Sequence, residues 1–125
     1  MKPIADISSW QPPETMNYDA LVEGTNGIIL RACYGTSLDR YLETHYKEIT
    51  SRGGLVGFYQ FILSGQEIGS QVEVLKKAVE GKKRTLGVWA DVEITSWSKL
   101  SRKQLESYLK QAGESFGEDL GIYTS

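Results

Sequence analysis

Short apolar runs alternate along this chain with longer segments whose apolar residues recur every three or four positions. Ile4 to Ile7 reads as a short strand, and a loop with two prolines follows, SSWQPPETMN. Asn17 is placed to cap a short helix, YDALVEG. Gly27 to Cys33, GIILRAC, reads as a buried strand. In GTSLDRYLETHYKEITSRGG, Leu38, Leu42, Tyr46 and Ile49 trace one face of a helix that Gly53 and Gly54 stop. Leu55 to Phe61 is the third strand. GQEIGSQVEVLKKAVEG predicts a second long helix, with Ile68, Val72, Leu75 and Val79 inward and Gly81 after its end. Thr85 to Val92 is the fourth strand. Ser101 and Gln104 fit a capping box, and the helix behind them is expected to bury Leu105, Tyr108, Leu109, Ala112 and Phe116. LGIYTS supplies a fifth strand.

Strands that alternate with helices imply parallel βαβ units with right-handed crossovers. Such sheets carry their functional groups at the carboxyl ends of the strands. The polar residues gather there: Asp6 with Ser8 and Ser9, Arg31, Tyr59 and Gln60, Asp91 and Glu93, Tyr123 and Thr124. The amino ends offer mostly lysines, glycines and a threonine. That clustering points to one shared site.

Composition narrows the field. A chain of 125 residues is one small domain with a real core. A formal net charge of -2 gives no electrostatic case for nucleic acid or an anionic membrane as partner. The single cysteine, Cys33, excludes an internal disulfide and lies in an apolar run as a packed core residue. The lone His45 sits in a polar helical segment and reads as a surface residue, with no second His or Cys beside it for zinc. No stretch is long enough for a signal peptide or a membrane span. The chain is therefore expected to be made in the cytoplasm.

The segment LGVWADVEITSW holds the densest candidate chemistry. Successive strand residues point to opposite faces, so Asp91 and Glu93 share one face with Val92 as spacer. Asp6, at the end of another strand, is positioned to join them. Like charges and apolar neighbours such as Trp89 and Trp97 raise the pKa of at least one such acid. A carboxylic acid held protonated near neutral pH is what glycosidic cleavage needs. On the residues alone three readings stand for the pair: a solvated loop, a hard-cation site, or general acid–base work. Asp6 has the bland reading of a cap for the Ser8–Ser9 turn, and Arg31 that of a counter-charge to the acids.

The ordered blocks ADISSWQ, GIILRACYGTSLD, GLVGFYQF, WADVE and GIYTS resemble the glycoside hydrolase family 25 lysozymes, the N-acetylmuramidases of bacteria and phages. The resemblance spans the chain and implies a (β/α) TIM-like barrel, here incomplete with about five parallel strands. Residues 1–125 then form a single partial barrel domain. It implies hydrolysis of the β-1,4 bond between N-acetylmuramic acid and N-acetylglucosamine in peptidoglycan, without metal or organic cofactor. By position, Glu93 matches the general acid, Asp91 the acid that positions or stabilises the reacting sugar, and Asp6 the first-strand aspartate of the site. Arg31, Tyr59, Gln60, Trp10 and Tyr123 match the substrate groove. The place of action is then the cell wall, outside the cell or on lysis.

Three departures qualify the match. Ala5 stands for the usual glycine, and Gln60 for a frequent histidine. A full barrel needs about 200 residues or more, so the later strands are missing. The alternative to a working enzyme is a catalytically impaired half-barrel that binds peptidoglycan or needs a partner chain. A third possibility is a doubly wound α/β domain unrelated to sugars, although no glycine-rich phosphate loop follows any strand. Strand order separates the two folds: sequential neighbours for a partial barrel, a reversal for a doubly wound sheet.

Overall fold

The computed structural model of the chain describes residues 2–92 and 99–124, and strands and helices alternate along it. They are β1 (Ile4–Ile7), α1 (Tyr18–Gly24), β2 (Gly27–Tyr34), β3 (Ser37–Leu38), α2 (Leu42–Thr50), β4 (Val56–Phe61), α3 (Ile68–Val79), β5 (Val88–Asp91), α4 (Arg102–Phe116) and β6 (Gly121–Tyr123). The sheet order is β1-β2-β4-β5-β6, with every pair on that path parallel. The two-residue β3 folds back antiparallel on the end of β2. Neighbours in space are thus neighbours in sequence, with no reversal. That is the winding of a barrel, not of a doubly wound sheet. The five parallel strands and their helices form an incomplete α/β barrel.

Alternation along each strand separates two faces. Ile28, Leu30 and Ala32 of β2, Val56 and Phe58 of β4, and Val88 and Ala90 of β5 are buried toward the helices. They pack with Leu42 and Ile49 of α2, Val72, Leu75 and Val79 of α3, and Tyr108 and Ala112 of α4. Cys33 is a sealed member of this core. The inner face of the curl carries Asp6, Ile29, Arg31, Tyr59, Phe61, Trp89, Asp91 and Tyr123 by the same alternation.

Local signals explain most boundaries. The Asn17 side chain accepts from the Ala20 N–H at 3.1 Å and starts α1. Ser101 and Gln104 close a reciprocal capping box at the start of α4, each bond 3.0 Å long. Buried positions of α3 include Ile68, Val72, Leu75 and Val79, the stripe expected from the spacing.

Two expectations fail around α2. Leu38 lies not on the helix but in β3, where it is 60% exposed. The chain turns at Gly35, which has φ +56 and no room for a Cβ beside Gln66 and Leu63. It then returns along β2, and α2 begins only at Leu42. His45 is buried, not on the surface, because the inward stripe is Leu42, His45 and Ile49. Its ring bonds to the Tyr18 hydroxyl at 2.7 Å and to the Ser8 carbonyl at 3.2 Å. β5 is shorter than expected, starting at Val88 after Gly87 at φ +83. Among the described residues no helix is long and apolar enough to cross a membrane.

Candidate active site

The inner face is built in rows. One row runs Arg31, Tyr59, Trp89 and Gly121 across β2, β4, β5 and β6. The next, nearer the carboxyl ends, runs Phe61, Asp91 and Tyr123. Trp89 lies flat over Gly121, where a Cβ would sit 2.3 Å from the ring. Its indole N–H donates to the Leu86 carbonyl at 2.8 Å, which locks the ring in place. Without a side chain at Gly121 this aromatic wall has room to form.

Above the wall lies an open pocket of about 320 Å³, lined by Ile4, Ala5, Asp6, Ile29, Tyr59, Leu86, Trp89, Asp91 and Tyr123. Asp6 is exposed, Asp91 is nearly buried at 7%, and Tyr123 is half-exposed. Burial pushes the Tyr59 hydroxyl well above the ordinary tyrosine value of 10.0. The charges of Asp6, Asp91 and Asp39 add to the rise, and Arg31 opposes it. Tyr59 therefore keeps its proton at neutral pH.

Arg31 reaches this row but is held from the side. Its Nε donates to Asp39 Oδ2 at 3.0 Å, and a terminal nitrogen donates to the Ser9 hydroxyl at 2.7 Å. Asp39, whose side chain is fully buried, also accepts from the Ser9 N–H at 2.8 Å and the Tyr41 N–H at 2.9 Å. One carboxylate thus ties β2, the loop after Asp6 and the start of α2 together. Sequence reasoning missed this role of Asp39, although the residue stands in the GTSLD stretch. Its signal was a lone acid between a leucine and a basic residue, which does not distinguish a buried anchor from a turn. Arg31 therefore neutralises Asp39 and is not one of the residues lining the pocket.

Gln60 is not brought to the pocket at all. Its side chain is fully buried on the helix side, with Val56 and Phe58. Its amide nitrogen donates to the Gly35 and Gln71 carbonyls, both at 2.8 Å, and its oxygen accepts from the Tyr108 hydroxyl at 2.7 Å. The reason is alternation: Tyr59 and Gln60 are neighbours on one strand and cannot share a face. Trp10 stands on the loop after β1, 82% exposed and outside the pocket. Glu93, expected as the general acid, and Trp97, expected as part of the wall, lie outside the described residues.

Of the expected site residues, Asp6, Tyr59, Asp91 and Tyr123 meet around one pocket at the carboxyl ends of β1, β4, β5 and β6. The set combines two carboxylates, a protonated phenol and an aromatic wall. It suits a substrate with both hydroxyl groups and apolar ring faces. Among the described residues no group of three or more His, Cys, Asp or Glu is arranged to hold a metal ion.

Comparison with known proteins agrees with this geometry. The family model described as glycosyl hydrolases family 25 matches residues 5–125. No curated protein matches the chain at a significant level. Among solved structures, a glycosyl hydrolase 25 of Streptococcus pneumoniae superposes with a TM-score of 0.85 at 29% identity, over 99% of this chain and 59% of that one. A muramidase from Trichobolus zukalii gives 0.80 at 27% identity, over 99% and 65%. The catalytic domain of an endolysin from a Listeria monocytogenes bacteriophage gives 0.78 at 26% identity, over 99% and 64%. The chain spans between 59% and 65% of these three structures. With the model matching nearly its whole length, the chain belongs to glycosyl hydrolases family 25.

Proposed function

We propose that this chain carries the bond-cleaving end of a muramidase that hydrolyses the β-1,4 link between N-acetylmuramic acid and N-acetylglucosamine in peptidoglycan. The observation that carries the reading is the convergence of Asp6, Tyr59, Asp91 and Tyr123 on one pocket in a chain of this family. Two of the similar structures are an endolysin catalytic domain and a muramidase, which supports the same substrate class. Glu93 gives its proton to the leaving sugar oxygen as that bond breaks. Asp91, two residues before it on the chain, orients and stabilises the reacting sugar. Asp6 completes the acidic rim, and Tyr59 donates a hydrogen bond into it. Tyr123 and Trp10 contact the glycan. Arg31 and Gln60 support the site from behind, through Asp39 and through the helix layer.

The test is turbidity loss of bacterial cell walls with the wild type and Glu93→Gln. Wild-type clearing with a loss of about a thousandfold or more in the variant is the expected result, since one essential proton donor is removed. Equal activity of the two chains rules out Glu93 as the acid. Equal inactivity favours a second reading, a half-barrel that binds peptidoglycan without cutting it or needs a partner to close. The feature that favours it is the apolar lining of the open pocket together with Ile4 and Ile122, exposed at 57% and 49% on the outer strands.

A further inference from the structure

The peptide group between Ser8 and Ser9 is gripped on both sides. Its carbonyl faces Nε2 of the buried His45 at 3.2 Å, and its N–H donates to Asp39 Oδ2 at 2.8 Å. A carbonyl only accepts, so Nε2 carries the hydrogen. In the neutral ring Nδ1 is then the acceptor, and the Tyr18 hydroxyl donates to it at 2.7 Å. Burial, followed by the charge of Glu48, raises the Tyr18 pKa above the ordinary 10.0 against the pull of Arg52, so this donor keeps its proton. Tyr18 and Tyr41 also hold the imidazole edge-on, at centroid distances of 5.9 and 6.0 Å. The Ser8 carbonyl accepts from the Gln11 N–H within its own turn at 3.0 Å. His45 is its tie to the helix layer.

Position 45 belongs to the inward stripe of α2, between Leu42 and Ile49, where an apolar side chain would pack without the cost of burying a polar ring. An imidazole stands there instead, with both nitrogens bonded. What it holds lies two residues after Asp6, which lines the pocket. β1 is four residues long and, among the described residues, pairs with β2 alone. An edge strand this short needs anchors at its ends. At the amino end the Asn26 N–H donates to the Pro3 carbonyl and the Asn26 side chain to the Lys2 carbonyl, both at 2.8 Å. At the carboxyl end the anchor is the Ser8–Ser9 peptide. A peptide group is planar, so holding its carbonyl and its N–H sets the orientation of the whole unit. Only Ile7, itself buried, stands between that unit and Asp6.

We infer that His45 is a positioning residue for Asp6: with Asp39 it ties the Ser8–Ser9 peptide to α2 and its approach, and so fixes where the edge strand presents the Asp6 carboxylate to the pocket. The consequence for cleavage rests on the muramidase reading above; the grip on the peptide does not. Neither His45 nor Asp39 lines the pocket, so both act through the backbone. A leucine at position 45 fills the core but has no donor for the Ser8 carbonyl. A glutamine amide donates from about the same place as Nε2. Misplacing a group that faces the substrate by about 1 Å can cost on the order of a hundredfold in rate.

The test compares His45→Leu with His45→Gln in the full chain, each in the wild-type and the Asp6→Asn background. On bacterial cell walls His45→Leu is expected to lower the maximal clearing rate about tenfold or more, with the half-saturating wall concentration within about twofold, and His45→Gln to recover most of the loss. In the Asp6→Asn background His45→Leu is expected to change the residual rate by less than about twofold, because the group it positions is gone. Equal losses in the two backgrounds, or no recovery by glutamine, overturn the positioning role. Two spectra need no cleavage. His45 is the only histidine of the chain, so its ring nitrogen-15 signals identify themselves. They are expected to place the proton on Nε2, and a proton on Nδ1 alone overturns the grip. The carboxyl carbon-13 signal of Asp6, identified by its loss in Asp6→Asn, is expected to move in His45→Leu and to return in His45→Gln. Wall clearing by the wild type with an unmoved Asp6 signal removes the positioning role and leaves the cleavage reading standing. A signal that moves and returns in a chain that clears nothing does the reverse.

Discussion

Cys33 is sealed in the core, and burial pushes its thiol up to about 12 from an ordinary 9.0; the charge of Asp39 adds to the rise and Arg31 opposes it. The folded chain thus holds this proton more tightly than the unfolded one. Its contribution to stability is complete below about pH 9 and is lost as pH climbs toward 12. Tyr59 and Tyr108, pushed up chiefly by burial, act in the same direction. Urea unfolding between pH 9 and pH 12 is expected to show falling midpoints, and Cys33→Ala to flatten the fall by up to about 1.4 kcal/mol per pH unit. An equal slope in the two chains contradicts a buried neutral thiol. The sequence showed Cys33 as core because its neighbours are apolar. It hid His45 because the surrounding residues are polar, and only the Leu42, His45, Ile49 spacing carried the signal.

At the scale of elements, the apolar stripes and caps located α1, α3 and α4 correctly, since each has a local cause in the chain. What escaped were interactions between elements. Gln60 looked like a groove residue because it is polar at a strand end. Its true partners are the Gly35 turn, Gln71 of α3 and Tyr108 of α4, which no local pattern links. Gln71 extends the seam by bonding both backbone groups of Leu63. Gln60→Leu leaves two carbonyls and a hydroxyl buried without this partner. The expected cost is about 3 kcal/mol or more, seen as a lower urea midpoint, because each such orphan costs about 1–3 kcal/mol. A loss below about 1 kcal/mol means that water replaces the amide.

For the whole molecule, the strand–helix rhythm made the barrel winding legible, and the order of the sheet agrees with it. The pairing of Asp6 with the Asp91 side of the pocket depends on how the sheet curls, which spacing along the chain does not encode. The curl leaves an apolar inner face open between β1 and β6, whose described pairings run only to β2 and β5. Open strand edges beside exposed Ile4 and Ile122 favour association. Light scattering is expected to show mass rising with concentration, together with native-state binding of an apolar dye. Ile4→Ser with Ile122→Ser is expected to lower both. A monomer at every concentration that binds no dye means that the face is closed in solution.

The order of the sheet also bears on how the chain is made. Each of β2, β4, β5 and β6 pairs with the parallel strand that precedes it in sequence. On the ribosome, every new strand therefore emerges to find its partner already synthesised, and none has to wait for a later segment. At about 5–20 residues per second, successive strands arrive within seconds of one another. The sheet can grow in the direction of translation, one βαβ step at a time. Among these pocket residues Asp6 is then fixed first, Asp91 later with β5, and Tyr123 last with β6.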